Sequence, residues 1–173
     1  MVIVLLGYMA SGKSTIGKIL AKNLNYEFID LDDFIMEKEA LTVSEIFKQK
    51  GEIYFRKLET RYLKDLLSQY NNVVLSLGGG TPCYANNMEG ILQTENATSI
   101  YLKASLEKLV NKLEINKESR PLVAHLKTKE DLTEFIGKHL FERSYFYNQA
   151  RIILTTDGKK KKEIVEDIIL KLF

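Results

Sequence analysis

Between positions 7 and 14 the chain reads Gly7-Tyr-Met-Ala-Ser-Gly-Lys-Ser14, the spacing G-x-x-x-x-G-K-[ST]. Those residue types in that order suit phosphate. Glycines at 7 and 12 let the backbone turn tightly and aim its N–H groups inward. A helix opening there adds the positive end of its dipole, so the stretch is an anion site sized for phosphates. Lys13 would reach the β/γ-phosphates of a nucleotide, and the Ser14 hydroxyl would ligate Mg²⁺. Asp30 and Asp32 form a D-x-D pair. Asp30 could hold magnesium directly or through water, while Asp32 could face an acceptor and take its hydroxyl proton as a general base. The plain alternative is two helix-capping acids. Gly78-Gly-Gly80 suggests a ligand close to the backbone, or simply a sharp turn. Of five arginines, three stand out: Arg56, Arg120 and Arg143. A guanidinium fork bonds a carboxylate bidentately, and Arg120, in a proline-broken polar stretch, could be brought onto phosphates by a closing lid. Each of the three could equally be a solvated surface arginine. Arg61 and Arg151 read as structural.

The elements that must position these residues alternate. Val2-Ile-Val-Leu-Leu6 reads as a buried parallel strand, and Ile16, Ile19, Leu20 and Leu24 give the helix after the loop its apolar face. A second strand ends at Asp30, and a short helix follows. Thr42-Val-Ser-Glu45 has the form of a capping box and starts another. A longer helix runs from Gly51 to the break at Asn71-Asn72. A third strand, Val73 to Leu77, leads into the triple glycine. Met88 to Gln93 is a short helix, Ala97 to Leu102 a strand, and Ser105 caps the helix Leu106 to Leu113. Glu114 to Leu122 reads as a mobile loop. Glu130 to Tyr147 is a long helix, Arg151 to Leu154 the fifth strand, and a last helix ends near Phe173. The pattern predicts an α/β sandwich on a parallel sheet, with ligands beyond the carboxyl ends of the strands. The phosphate loop, Asp30, Asp32 and the triple glycine all fall at such ends.

Composition narrows the classes. A chain of 173 residues with 45% apolar and 28% charged residues suits one compact domain. A net charge of +2 gives no electrostatic reason to expect a nucleic-acid partner. The lone Cys83 excludes an internal disulfide framework, fits a reducing cytoplasm and reads as a small packed residue. Only five strand-forming residues lie between Met1 and Gly7, which leaves no room for a cleavable signal, and no apolar stretch reaches membrane-spanning length. The lysine run Lys159 to Lys162 reads as a solvated face. His125 and His139 lack metal-ligand spacing and read as incidental. Tyr145, Phe146 and Tyr147 read as core.

Over almost its whole length the chain resembles the shikimate kinases. The resemblance rests on Gly7 to Thr15, Phe28-Ile-Asp-Leu-Asp32, Phe55-Arg56, Leu75-Ser-Leu-Gly-Gly-Gly80, Arg120-Pro-Leu122 and Glu142-Arg143. It implies a three-layer α/β/α, P-loop kinase fold on a five-stranded parallel sheet, as one domain over 1–173. Within it the resemblance implies a substrate-binding region at about 31–62 and a mobile lid at about 114–127. It implies ATP-dependent phosphorylation of the shikimate 3-hydroxyl, on the path to chorismate and the aromatic amino acids, with Mg²⁺, in a cytoplasmic monomer that needs no nucleic acid or membrane. Carried over by position, Gly7, Ala10, Ser11, Gly12, Lys13, Ser14, Thr15 and Arg120 would contact the nucleotide. Ser14 and Asp30 would serve the metal. Asp32, Arg56, Gly78, Gly79, Gly80 and Arg143 would hold shikimate, the two arginines taking its carboxylate. Lys13, Asp32 and Arg120 would act in catalysis.

Two departures stand out. Ala10 replaces a glycine common among relatives, which is tolerated unless that position requires positive φ. Gly158-Lys159-Lys160 stands where many relatives carry an arginine against adenine, and no adenine contact is assigned there. Three rival readings compete with this one. Another small-metabolite kinase, such as gluconate kinase, shares the architecture, and the paired arginines and triple glycine favour a carboxylated polyol without separating the two. A GTP-dependent switch would need D-x-x-G and N-K-x-D, neither of which occurs. A silent nucleotide-binding protein is argued against by Lys13, Ser14 and Asp32.

Overall fold

The computed structural model describes residues 1–115 and 121–173. Its centre is a five-stranded parallel sheet in the order β2-β3-β1-β4-β5. The strands are β1 (Val2–Leu6), β2 (Glu27–Asp30), β3 (Val73–Ser76), β4 (Ala97–Lys103) and β5 (Ile152–Thr155). β1 lies in the middle, with Val2 opposite Val73 on one side and Ala97 on the other. All five residues of β1 are buried, the reason it reads as a continuous apolar run rather than an alternating one.

Alternation along the strands sorts the core into two layers. Val2, Val4 and Leu6, with Leu75 and Tyr101, face α4 (Glu52–Gln69), α5 (Asn87–Gln93), α6 (Leu106–Ile115) and α8 (Lys129–Tyr147). Ile3 and Leu5, with Val74, Ile100 and Leu154, face α1 (Lys13–Leu24) and α9 (Lys161–Leu172). Helices on both faces of a parallel sheet give the expected three-layer sandwich.

Local signals account for most helix ends. Asp30 caps α2 (Leu31–Glu39) by accepting from the Asp32 N–H. Thr42 and Glu45 form the capping box of α3 (Val43–Lys50). Ser105 caps α6, accepting from the Lys108 N–H at 3.3 Å. Two of the boundaries that differ from expectation flank the proline-broken stretch. α8 begins at Lys129, behind a Thr128–Asp131 capping box. The stretch read as loop through Leu122 is helical at its end, since α7 covers Pro121–Ala124. Proline suits a first helical position, where no N–H is required. A 3-10 turn, Thr81–Cys83, follows the triple glycine directly. Among the described residues no helix is long and apolar enough to cross a membrane.

Candidate active site

The phosphate end is built by the backbone that leaves β1. Gly7 and Gly12 take φ values of 147° and 102°, and Ala10 takes 63°. Lys13 is buried, and its Nζ donates to the carbonyls of Gly7 at 2.8 Å and Tyr8 at 3.0 Å. Its charge is thus held at the mouth of the loop by the loop's own carbonyls. The Ser14 hydroxyl donates to Asp30 Oδ2 at 2.8 Å. Asp30 Oδ1 meanwhile accepts from the Asp32 N–H at 3.2 Å, so the helix cap and the contact with Ser14 coexist in one carboxylate. Two hydroxyls nearby, Ser11 Oγ and Ser76 Oγ, are buried without a hydrogen-bond partner among the described residues. Buried polar atoms are seldom left so.

A cleft of about 270 Å³ joins these groups; its lining includes Ala10, Lys13, Ser14, Thr15, Asp30, Asp32, Ser76, Gly78 and Gly79. Hard oxygen donors from Ser14 and Asp30 suit Mg²⁺, which takes few protein ligands and keeps its waters. The donor set therefore fits that ion. Asp32 sits between the two ends. Burial, reinforced by Asp30 and Glu59 and opposed by Lys13, pushes its carboxyl up to about 6. It is ionised at neutral pH yet more basic than an ordinary aspartate.

The opposite end is built from side chains around the triple glycine. None of Gly78, Gly79 and Gly80 has positive φ, so what the turn requires is space. A Cβ on Gly78 would lie 3.0 Å from Asp32 Oδ1, one on Gly79 3.2 Å from Arg143 Nη1, and one on Gly80 2.8 Å from Arg56 Nη1. Three consecutive residues thus admit the three side chains singled out in the sequence. Tyr147, near the end of α8, fixes the turn by donating to the Gly79 carbonyl. Arg56 is held from several sides. Its Nη1 donates to Glu59 at 2.6 Å, its Nε and Nη2 to Glu52 at 3.3 Å, and its guanidinium lies 4.2 Å from the Tyr84 ring centroid. Burial disfavours the charge on Arg56, but Glu59, with Tyr84 and Glu52, holds its pKa above the ordinary value. Arg143, 8% exposed, lies 5.6 Å from the centre of the Tyr8 ring. Asp32, Gly78 and Gly79 thus line the cleft of the phosphate loop, Arg143 lies against the back of the same turn at Gly79, and Arg56 faces a neighbouring pocket with Glu52 and Tyr84.

A family profile described as Shikimate kinase matches residues 9–173. The chain belongs to the shikimate kinase family. The Flavobacterium psychrophilum shikimate kinase is 47% identical over 171 residues, covering 99% of this chain and 98% of that one. The shikimate kinase crystal structure from Bacteroides thetaiotaomicron superposes with a TM-score of 0.90 at 37% identity, covering 99% and 98% of the two chains. That of the Acinetobacter baumannii shikimate kinase, in complex with shikimate, does so with a TM-score of 0.86 at 31% identity, covering 99% and 92%. A gluconokinase from Sinorhizobium meliloti shares the fold alone, at 15% identity and a TM-score of 0.54. The P-loop kinase fold and an ATP-dependent kinase activity come with the family.

Against that frame of relatives, several residues need a different description from the one their sequence context suggests. Arg120 lies outside the described residues. Glu59 was not singled out, yet it is 1% exposed and accepts from Thr81 Oγ1 at 2.5 Å as well as from Arg56. Its signal was available: three residues beyond Arg56, it stands on the helical face of Phe55, Leu58 and Leu63, where an acid must be paired. His139 is not incidental, because its Nδ1 lies 3.1 Å from the Tyr8 hydroxyl. Tyr145 is not core; it is 72% exposed, while Tyr147 is fully buried. Ala10 does occupy a left-handed position, the condition under which glycine would be preferred. Lys159, two residues before α9, pairs with Asp167 of that helix at 2.6 Å. Cys83 is packed as expected, and burial pushes its thiol up to about 11.

Proposed function

We propose that this chain transfers the γ-phosphoryl group of ATP to the 3-hydroxyl of shikimate, a step toward chorismate and the aromatic amino acids. The observation that carries the reading is the triple-glycine turn, against which Asp32, Arg143 and Arg56 each pack beside the phosphate loop. Shikimate in the related Acinetobacter structure supports the same acceptor here. A carboxylated polyol needs a fixed cation for its carboxylate and an acceptor for its hydroxyl proton, and this end of the cleft offers both.

In this reading the residues act by position and charge. The backbone of Gly7, Ala10, Ser11, Gly12 and Thr15 lines the phosphates, and Lys13 moves its ammonium from the loop carbonyls onto them. Ser14 and Asp30 would hold Mg²⁺, which when bound neutralises phosphate charge. Arg56 and Arg143 take the shikimate carboxylate, with Gly78, Gly79 and Gly80 giving the ring access. Asp32 orients the 3-hydroxyl and accepts its proton. Arg120, in a lid at about 114–127, would add positive charge at the transferring group. The protein would work as a single-domain monomer in the cytoplasm, with about 31–62 forming the shikimate region.

The test is a coupled ADP-release assay with Mg-ATP and shikimate, gluconate, AMP or no acceptor. Release that depends on shikimate is expected, and its absence beside intact ATP binding would overturn the acceptor. Replacing Mg²⁺ with EDTA should abolish release; unchanged release would remove Ser14 and Asp30 from a metal role.

A further inference from the structure

We propose that the hydrogen bond between Tyr8 and His139 is a positioning device that holds Arg143 at the triple-glycine turn and ties it to the phosphate loop. The inference rests on the acceptor role given to Arg143 above. Tyr8 continues the alternation of Val2, Val4 and Leu6, so its ring packs with the core layer that includes α8. It is 1% exposed, and its hydroxyl lies 3.1 Å from His139 Nδ1, with the two rings edge to face at 82°. His139 and Arg143 are four apart on α8 and so share a face. The Arg143 guanidinium lies 5.6 Å from the centre of the same tyrosine ring. The Tyr8 carbonyl, for its part, accepts from Lys13 Nζ. One residue thus meets the phosphate lysine through its backbone, an acceptor arginine through its ring and α8 through its hydroxyl.

The contact is braced. Phe135, one turn before His139, packs against the imidazole at 5.2 Å between centroids. Burial, joined by Arg143 and Arg56 and opposed by Glu142, holds His139 below the ordinary histidine range. Burial likewise pushes the Tyr8 phenol up to about 12, against Arg143. Both partners are therefore neutral at neutral pH, so the imidazole adds no charge of its own beside Arg143. With the imidazole proton on Nε2 the phenol donates to Nδ1; with it on Nδ1 the phenolic oxygen accepts. Tyr8→Phe removes the bond in either case and leaves the ring in place.

Steady-state kinetics and calorimetric shikimate binding test this. Tyr8→Phe should raise the shikimate KM and Kd about 3- to 10-fold and leave the ATP KM within about twofold. His139→Leu should do the same. His139→Asn, whose amide can accept or donate near the Nδ1 position, should recover to within about threefold of wild type. The double variant Tyr8→Phe with His139→Leu should be no worse than the worse single change, because both remove one bond. Multiplying single effects, equal changes in both KM values, or an Asn variant no better than Leu would overturn the device. Should His139→Leu fail to fold, Tyr8→Phe carries the test alone. A wild-type chain without shikimate-dependent ADP release would overturn the acceptor reading and this inference with it. An active wild type beside an unaltered Tyr8→Phe would overturn this inference only.

Discussion

At the phosphate end of the cleft, one uninterrupted stretch from Gly7 to Ser14 supplies loop, lysine and hydroxyl, and its shape is set by backbone angles. At the acceptor end, Asp32 from α2, Arg56 and Glu59 from α4, the turn Gly78 to Gly80 and Arg143 from α8 meet only after folding. The difference is one of information as much as geometry. A backbone site is specified by neighbours in sequence, so it survives a change such as Ala10 with only local strain. A side-chain site is specified by packing, so a single methyl at the wrong glycine reaches a residue far away in the chain. Variants at the two ends should therefore fail differently, and Asp32, which touches both, should fail hardest.

Asp32→Asn gives the largest expected effect. Losing a positioned base should lower turnover about 10²- to 10⁴-fold, with the ATP Kd nearly intact. Stability should move the other way. Asp32 is raised from its ordinary 3.8 to about 6, so between those values the native chain holds a proton that the unfolded chain has released. Native proton binding exceeds unfolded binding there, and stability falls as pH rises through that window; above about 6 the loss is complete. The asparagine lacks this penalty and should be more stable at pH 7 by up to about 3 kcal/mol. Metal-free denaturant titrations at pH 4.5 and 7.5 would show it, as a gain of about 1 kcal/mol at the lower pH that grows to about 3 kcal/mol at the higher. Undiminished turnover would remove Asp32 from the base role, and a destabilised variant would refute the burial argument.

Gly80→Ala should come next and touch only the acceptor end. Its Cβ would fall 2.8 Å from Arg56 Nη1. That contact is the far end of a flexible side chain, so the guanidinium should shift and the backbone should not. The expected result is a rise in shikimate KM of about tenfold, equivalent to about 1.4 kcal/mol, with the ATP KM unchanged. Gly79→Ala has less latitude, because the new Cβ also lies 3.4 Å from the Met9 backbone nitrogen in the phosphate loop. Were Gly79→Ala and Gly80→Ala to alter both KM values equally, the two ends would act as one unit.

Glu59→Gln addresses what sequence reading did not reach. The phosphate-loop motif, the alternation of strands with helices, and the candidates Asp30, Asp32, the triple glycine, Arg56 and Arg143 were legible because each is a local pattern or an unusual residue type, and the structure places them near one another. Glu59 is an ordinary residue in a charged helix until packing places it between Arg56 and Thr81. The Tyr8–His139 contact spans most of the chain, and no periodicity reports it. The outward turn of Tyr145 depends on which side of α8 meets the core, which three adjacent aromatics cannot disclose. Removing the Glu59 charge keeps an acceptor for Thr81 but leaves the partly buried Arg56, among the described residues, with the exposed Glu52 as its one acidic partner beside the Tyr84 ring. A loss of about 1–3 kcal/mol follows from hydrogen bonds to charged groups, with a several-fold higher shikimate KM. A thermal melt unchanged from wild type would show that Arg56 does not need its buried partner.

Ala10→Gly should give the smallest effect, and it sharpens the comparison from the other side. Alanine at φ 63° carries a left-handed penalty of about 1 kcal/mol. Glycine removes that penalty but adds freedom to the unfolded chain, which returns roughly 0.5 kcal/mol. The net gain of about 0.5 kcal/mol corresponds to a rise in Tm of about 1–2 °C for a chain of this size. Ala40, the C-cap of α2 at φ 51°, is the control, since it has the same backbone conformation away from the phosphates. Equal gains at both positions would mean that the loop alanine carries ordinary strain, set by the chain path alone. A gain at Ala40 without one at Ala10 would mean that the loop's angles are held by their surroundings, with Lys13 bonded to the carbonyls of Gly7 and Tyr8 the first contact to examine. Either result locates how rigid a backbone-built site is before any ligand arrives, and the side-chain end, where Arg56 can swing from a new methyl group, is expected to be the softer of the two.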